Sequence, residues 1–226
     1  MERHFQHELE SVKTTLIKMG SVVEENMSFA IQSLFEQKSE LAQQVTESDI
    51  RVNSLEIEID NAIVDLLALQ QPVASDLRFI IAAQKINNDL ERIGDHAVNI
   101  AESSLTLNKE GKLGTLLEIP TMAQTTRLML RHALDSFILL DPKLARSVLE
   151  SDDQIDELNR LMTNEVIELI RTDKRSIESG LELIRISRNL ERVADMATNI
   201  AEEVIFHTQA KVVKHHAENQ KQQNTL

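Results

Sequence analysis

Apolar residues recur along this chain at steps of three and four. Val52, Leu55, Ile59, Ile63 and Leu66 form one such row, Ile86, Leu90, Ile93, Ala97 and Ile100 another, and Ile155, Leu158, Met162, Val166 and Leu169 a third. Each row falls on one stripe of a helix, with polar residues filling the rest of the circumference. The pattern predicts helices over residues 4–36, 38–70, 74–107, 116–140, 142–172 and 175–208, and no strand. Pro72 and Pro142 stand near helix starts, while Gly111, Gly114 and Pro120 mark a break in the middle of the chain.

The six helices are two copies of three. Residues 86–102 read INNDLERIGDHAVNIAE and residues 186–202 read ISRNLERVADMATNIAE, ten of seventeen positions being identical at a shift of 100. Upstream the shift is 103. There Glu47-Ser48-Asp49 matches Glu150-Ser151-Asp152, and Ala30, Leu34, Leu41 and Val45 match Ala133, Phe137, Leu144 and Val148. The three-residue difference falls in the loop around Gln70-Gln71-Pro72 and Thr172-Asp173-Lys174. The expected fold is therefore all-α, two tandem three-helix bundles over 1–110 and 115–208, each enclosing its own core. Residues 211–226 are polar and aperiodic and are expected to form a disordered tail.

Composition narrows the function. The chain has 42% hydrophobic but only 3% aromatic residues, no cysteine, and a formal net charge of −13. Without thiolates, any metal must be held by oxygen or imidazole, which favours Mg, Mn, Ca or oxidised Fe over Cu or Zn. The acidic balance argues against a nucleic-acid partner, whose phosphates call for Lys and Arg. Leu66 to Ser75 is the longest uncharged stretch near the hydrophobic segments, half of the roughly 20 residues a membrane span needs. Met1-Glu2-Arg3-His4 lacks the apolar core of a secretory signal, so a cytoplasmic protein is expected.

The candidate chemistry lies off the apolar stripe of the third helix. Glu91, Asp95, Asn99 and Glu102 share a face, and the second copy repeats all four as Glu191, Asp195, Asn199 and Glu202, although residues between them differ. Glu at i and Asp at i+4 project one turn apart and can converge on a cation, with Asn at i+8 adding a neutral oxygen. Glu56 and Asp60 repeat the spacing on the second helix, where the other copy has Asn159 and Thr163; one turn earlier, Asp152 and Asp156 restore it. With 37 acidic residues in 226, about six such pairs arise by chance, so a lone pair also fits a solvated face. Asp49 and Asp152, beside serines, fit a cap as well as a ligand. Arg92 and Arg192 fit i to i+3 pairing with Asp95 and Asp195 better than anion binding. His96 aligns with Met196, which argues against an essential ligand, and His215 and His216 form a weak metal motif.

Leu90-Glu91-Arg92-Ile93-Gly94-Asp95, Leu190-Glu191-Arg192-Val193-Ala194-Asp195, the stretch Gln70 to Arg78 (QQPVASDLR) and Asn199-Ile200-Ala201-Glu202 together resemble the PhoU family, from the first helix to about His207. The resemblance implies acidic motifs that bind metal, mapping onto Glu91, Asp95, Glu191, Asp195, Glu56 and Asp60. It implies a negative regulator of phosphate uptake and of the phosphate-starvation response, not an enzyme. The partners implied are the ATPase subunit of a phosphate ABC transporter and a sensor histidine kinase. A homodimer and contact with membranes only through protein partners are also expected. Asn159 and Thr163 depart from the motif.

Two other classes compete. A diiron carboxylate enzyme would use inward carboxylates on a bundle, but usually needs Glu-x-x-His on two helices, and no acid of the repeated stripe has a His three residues on. A metal-free helical adaptor is opposed only by the duplicated stripe.

Overall fold

The computed structural model describes residues 2–110, 118–173 and 176–213. Gly111, Gly114, Lys174, His215 and His216 lie outside the described residues, as does the expected tail from 214 onward. Seven helices follow one another: α1 (Glu2–Phe35), α2 (Ser39–Gln70), α3 (Ala74–Glu110), α4 (Ile119–Leu139), α5 (Pro142–Leu149), α6 (Asp152–Thr172) and α7 (Ile177–Gln209). No strand occurs among the described residues, and no helix among them is long and apolar enough to cross a membrane.

The expected helix over 142–172 is two helices. Asp141 caps α5, its carboxylate accepting from the N–H groups of Lys143 and Leu144, and Pro142 supplies the first residue. The chain then tightens, with the Ser151 N–H donating to the Val148 carbonyl, three residues back, before α6 begins. Its counterpart α2 runs unbroken through the same Glu-Ser-Asp triplet. Identical local residues take two backbone paths, so the break comes from packing, α5 being held against α4 and α7.

The apolar rows are the core. Val52, Leu55, Ile59, Ile63 and Leu66 of α2, the predicted row of α3, and Ile155, Leu158, Met162 and Val166 of α6 are all buried. Each fully buried side chain of this size contributes about 1.5–3 kcal/mol. Leu169, at the end of the α6 row, is exposed. The sequence suggested that each copy encloses its own core. The buried residues of the two copies form one contiguous cluster, because α3 and α7 lie against each other in the middle of the molecule. Val213, assigned to the tail, is buried in that cluster.

α3 and α7 run antiparallel, as their cross-contacts show. Lys85 meets Glu203 at 2.8 Å, His96 Nδ1 lies 2.7 Å from Asn189 Oδ1, and Arg185 Nη2 donates to Asn99 Oδ1 at 2.9 Å. Asp89 and Asn189, equivalent in the two copies, are both buried in this seam. The repeated motifs therefore sit near the centre of the pair, where the two halves meet.

Candidate metal centres

Four carboxylates lie within electrostatic reach of one another between α2 and α3. Asp49 and Glu56 come from α2, two turns apart on one face, and Glu91 and Asp95 from α3, one turn apart. Gly94 lets the helices close at this point. A Cβ there would stand 3.2 Å from Val52 Cγ1 and 3.6 Å from Asp49 Oδ1. Asp49 Oδ2 accepts from the Asn53 amide at 3.0 Å, while its Oδ1 is buried with no hydrogen-bond partner.

The electrostatics show how closely these groups feel one another. Burial pushes the Glu91 carboxyl above its ordinary value, and Asp95, Glu56 and Asp49 push it further, against a smaller pull from Arg92. Burial followed by Asp60 and Asp95 raises Glu56. Burial raises Asp49 as well, opposed by the Asn53 amide and reinforced by Asp95. Removing carboxylates from water and setting them side by side disfavours their charged forms; a cation, a proton or a basic partner relieves that cost.

Asp60 belongs to a different arrangement. Its Oδ1 accepts from Asn87 at 2.8 Å and Gln84 at 2.9 Å, and Asn87 also donates to the Glu56 carbonyl at 3.1 Å. Asn87 is fully buried, so Asp60 satisfies a core amide. Asn99 is likewise engaged elsewhere, by Arg185 across the seam, and Arg185 also holds Glu102 at 2.8 Å. The acidic stripe of α3 is thus not one site: its lower half faces α2 and its upper half faces α7.

The second copy keeps a reduced version. Burial raises the Asp195 carboxyl; Arg192 opposes this most, donating at 3.2 Å, and Asp156 raises it further while His96 from α3 lowers it. The i to i+3 pairing expected for Arg192 is present. Asn159 and Thr163, in place of Glu56 and Asp60, are neutral; Asn159 Oδ1 accepts from Ser187, the counterpart of Asn87, at 2.6 Å. Asp152 and Asp195 line a cleft of about 470 Å³ that also takes in Asn199, Arg92 and Arg192. Asn199 reaches toward Asp89 at 3.5 Å, and Glu191 lies half-buried one turn before Asp195.

As a test of fit to a metal, the donor chemistry of the first cluster suits a hard cation: all oxygen, with Asp49, Glu56 and Glu91 raised and one buried carboxylate oxygen unpartnered. The side chains are not drawn together, since no three His, Cys, Asp or Glu among the described residues converge on one ion position. Asp49 is the member that spacing alone left open as a cap. Its alignment with Asp152, already a candidate, is the signal that identifies it.

The sequence profile of the PhoU domain matches this chain twice, over residues 16–104 and 119–204. The chain belongs to the PhoU family. It is 40% identical over 216 residues to a phosphate-specific transport system accessory protein PhoU homolog of Pseudomonas putida, covering 95% of this chain and 84% of the relative. To the Escherichia coli (strain K12) accessory protein PhoU it is 33% identical, covering 93% and 88%. Among solved structures, PhoU from Pseudomonas aeruginosa superposes with a TM-score of 0.89 at 38% identity, covering 92% of this chain and all of the other. The phosphate transport system regulatory protein PhoU from Streptococcus pneumoniae gives 0.86 at 32% identity, covering 93% and 99%. The all-helical tandem repeat read from the sequence is the architecture of this PhoU family member.

Proposed function

We infer that this PhoU protein is an accessory regulator of phosphate transport, acting negatively on phosphate uptake and the phosphate-starvation response. The observation that carries the reading is the doubled PhoU domain along the chain, shared with relatives named as accessory proteins of a phosphate-specific transport system. In this reading the protein relays the state of a phosphate ABC transporter, through its ATPase subunit, to a sensor histidine kinase, from the cytoplasm and as a homodimer. Deleting the gene is expected to switch on phosphate-starvation genes in phosphate-rich medium, read with a promoter reporter; unchanged reporter activity overturns it.

Cations are part of the proposal. Asp49, Glu56, Glu91 and Asp95 would hold Mg, Mn or Fe in the first copy, and Asp156 and Asp195 with Asp152 and Glu191 in the second. A bound cation would supply charge compensation there, fixing α2 against α3 and α6 against α7. The second site, with Arg192 already on Asp195, is the weaker of the two. An oxygen-activating enzyme is disfavoured by the ligand set: the His nearest the clusters, His96, is taken by Asn189 and belongs to no Glu-x-x-His pair.

A further inference from the structure

α2 carries a second apolar row opposite its core face. Ile50, Ile57 and Val64 are 71%, 60% and 61% exposed and stand seven residues apart, with Ser54, Asn61 and Ala68 exposed in the turns between. At 100° per residue all six fall within about 80° of arc, the geometry of a seam that receives another helix.

The internal repeat is a built-in control. The equivalent positions of α6, at the shift of 103, are Asp153, Glu157, Arg160, Asn164, Ile167 and Arg171. That surface is charged, and Glu157 and Arg160 pair with each other. Two copies of the same three-helix unit thus differ here, so folding the unit does not require an apolar row at these positions. Branched apolar side chains left in water along about four turns suggest a contact surface rather than scattered exposure.

The edges of the row say what would cover it. One side presents the exposed Glu47, Glu58 and Asp65 with Arg51; on the other, Asp49, Glu56 and Asp60 are half-buried toward α3. A second copy of this chain would lay acid against acid, in a protein of net charge −13, and only Arg51 would answer. We propose that the outer face of α2 docks a basic amphipathic helix of a partner protein, whose apolar residues, one per heptad, sit on Ile50, Ile57 and Val64 while its Lys and Arg side chains reach the exposed acidic edge of Glu47, Glu58 and Asp65. Long basic side chains lie along apolar surface and deliver their charge at its rim. The proposal rests on α2 alone and is independent of the phosphate reading.

The test uses the full chain in chelator with three fluorescent peptides about three heptads long: one with a Leu row and Lys edges, one with a Leu row and Glu edges, and one with Lys edges and Ser in place of the row. The first peptide is expected to bind one to one. Binding should weaken at least about tenfold in the Ile57→Ser, Val64→Ser double variant and stay unchanged in Ile167→Ser. These positions are exposed, and melting curves verify that the variants fold. Absence of binding by the first peptide, equal binding by either of the others, or equal loss in Ile167→Ser overturns the proposal. So does self-association of the parent that disappears in the double variant, which would make a second copy the occupant.

Discussion

Lys85 and Glu203 meet at 2.8 Å across the seam between the two repeats, the Glu203 side chain 4% exposed and the Lys85 side chain 44%. The first copy has Ser103 where the second has Glu203, so this ion pair belongs to the joining of the halves and not to the repeated unit. The Lys85 ammonium also stands 5.6 Å from the Phe206 ring centre. Replacing Lys85 with Met keeps the stem and removes the charge, taking its cationic partner from a buried carboxylate. The expected cost is about 1–3 kcal/mol, roughly 2–12 °C in melting temperature for a chain of this size. Adding Glu203→Ser should recover part of the loss, as thermal denaturation of the single and double variants would show.

The first carboxylate cluster fixes a pH dependence. Asp49, Glu56 and Glu91 are raised above their ordinary 3.8, 4.5 and 4.5, chiefly by burial. A carboxyl raised in the folded state costs stability when ionised. That cost is absent below the ordinary values and grows as pH rises through the raised ones. Asp95 contributes to all three shifts, so Asp95→Asn should raise the melting temperature of metal-free protein at pH 7 by about 1–3 °C, the scale of one weak charge interaction. The gain should vanish near pH 4. A drop at pH 7 would show that Asp95 is held by favourable contacts.

His207 works in the other direction. Burial lowers its pKa below 6.5, and Arg78 and Lys13 lower it further against Asp76. Its Nδ1 is buried without a hydrogen-bond partner, and its ring meets Phe79 edge-on at 5.5 Å. Between the depressed value and 6.5 the unfolded chain binds more protons, so stability contributed by neutral His207 is lost as pH falls through that window. The drop in melting temperature from pH 7 to pH 5.5 should be smaller in His207→Gln than in the parent. Identical drops would mean that the imidazole titrates as it does in water.

Periodicity revealed the helices and the repeat because burial of one stripe is what makes these helices stable, and that stripe is written at fixed spacing. It did not reveal the break at Glu150 and Ser151, where the same triplet is helical in α2, nor the shared core, which depends on how α3 and α7 meet. The candidate cluster was half legible. Glu56, Glu91 and Asp95 were visible as i, i+4 pairs, but helix spacing says which residues share a face and not which neighbour they face. Asp60 also accepts from Asn87 at 2.8 Å, and Asn99 from Arg185 at 2.9 Å, contacts that helix spacing does not show.

The central claim is that the duplicated carboxylates are there for cations. Elemental analysis of purified protein after separate Mn, Mg and Fe loading, comparing the parent with Asp95→Asn combined with Asp195→Asn, tests it most directly. The account predicts bound metal in the parent, most of it lost in the double variant while the helical circular dichroism signal is retained. Equal metal in both proteins, or none in either under all three loadings, would contradict it and leave the clusters as solvated or protein-docking faces.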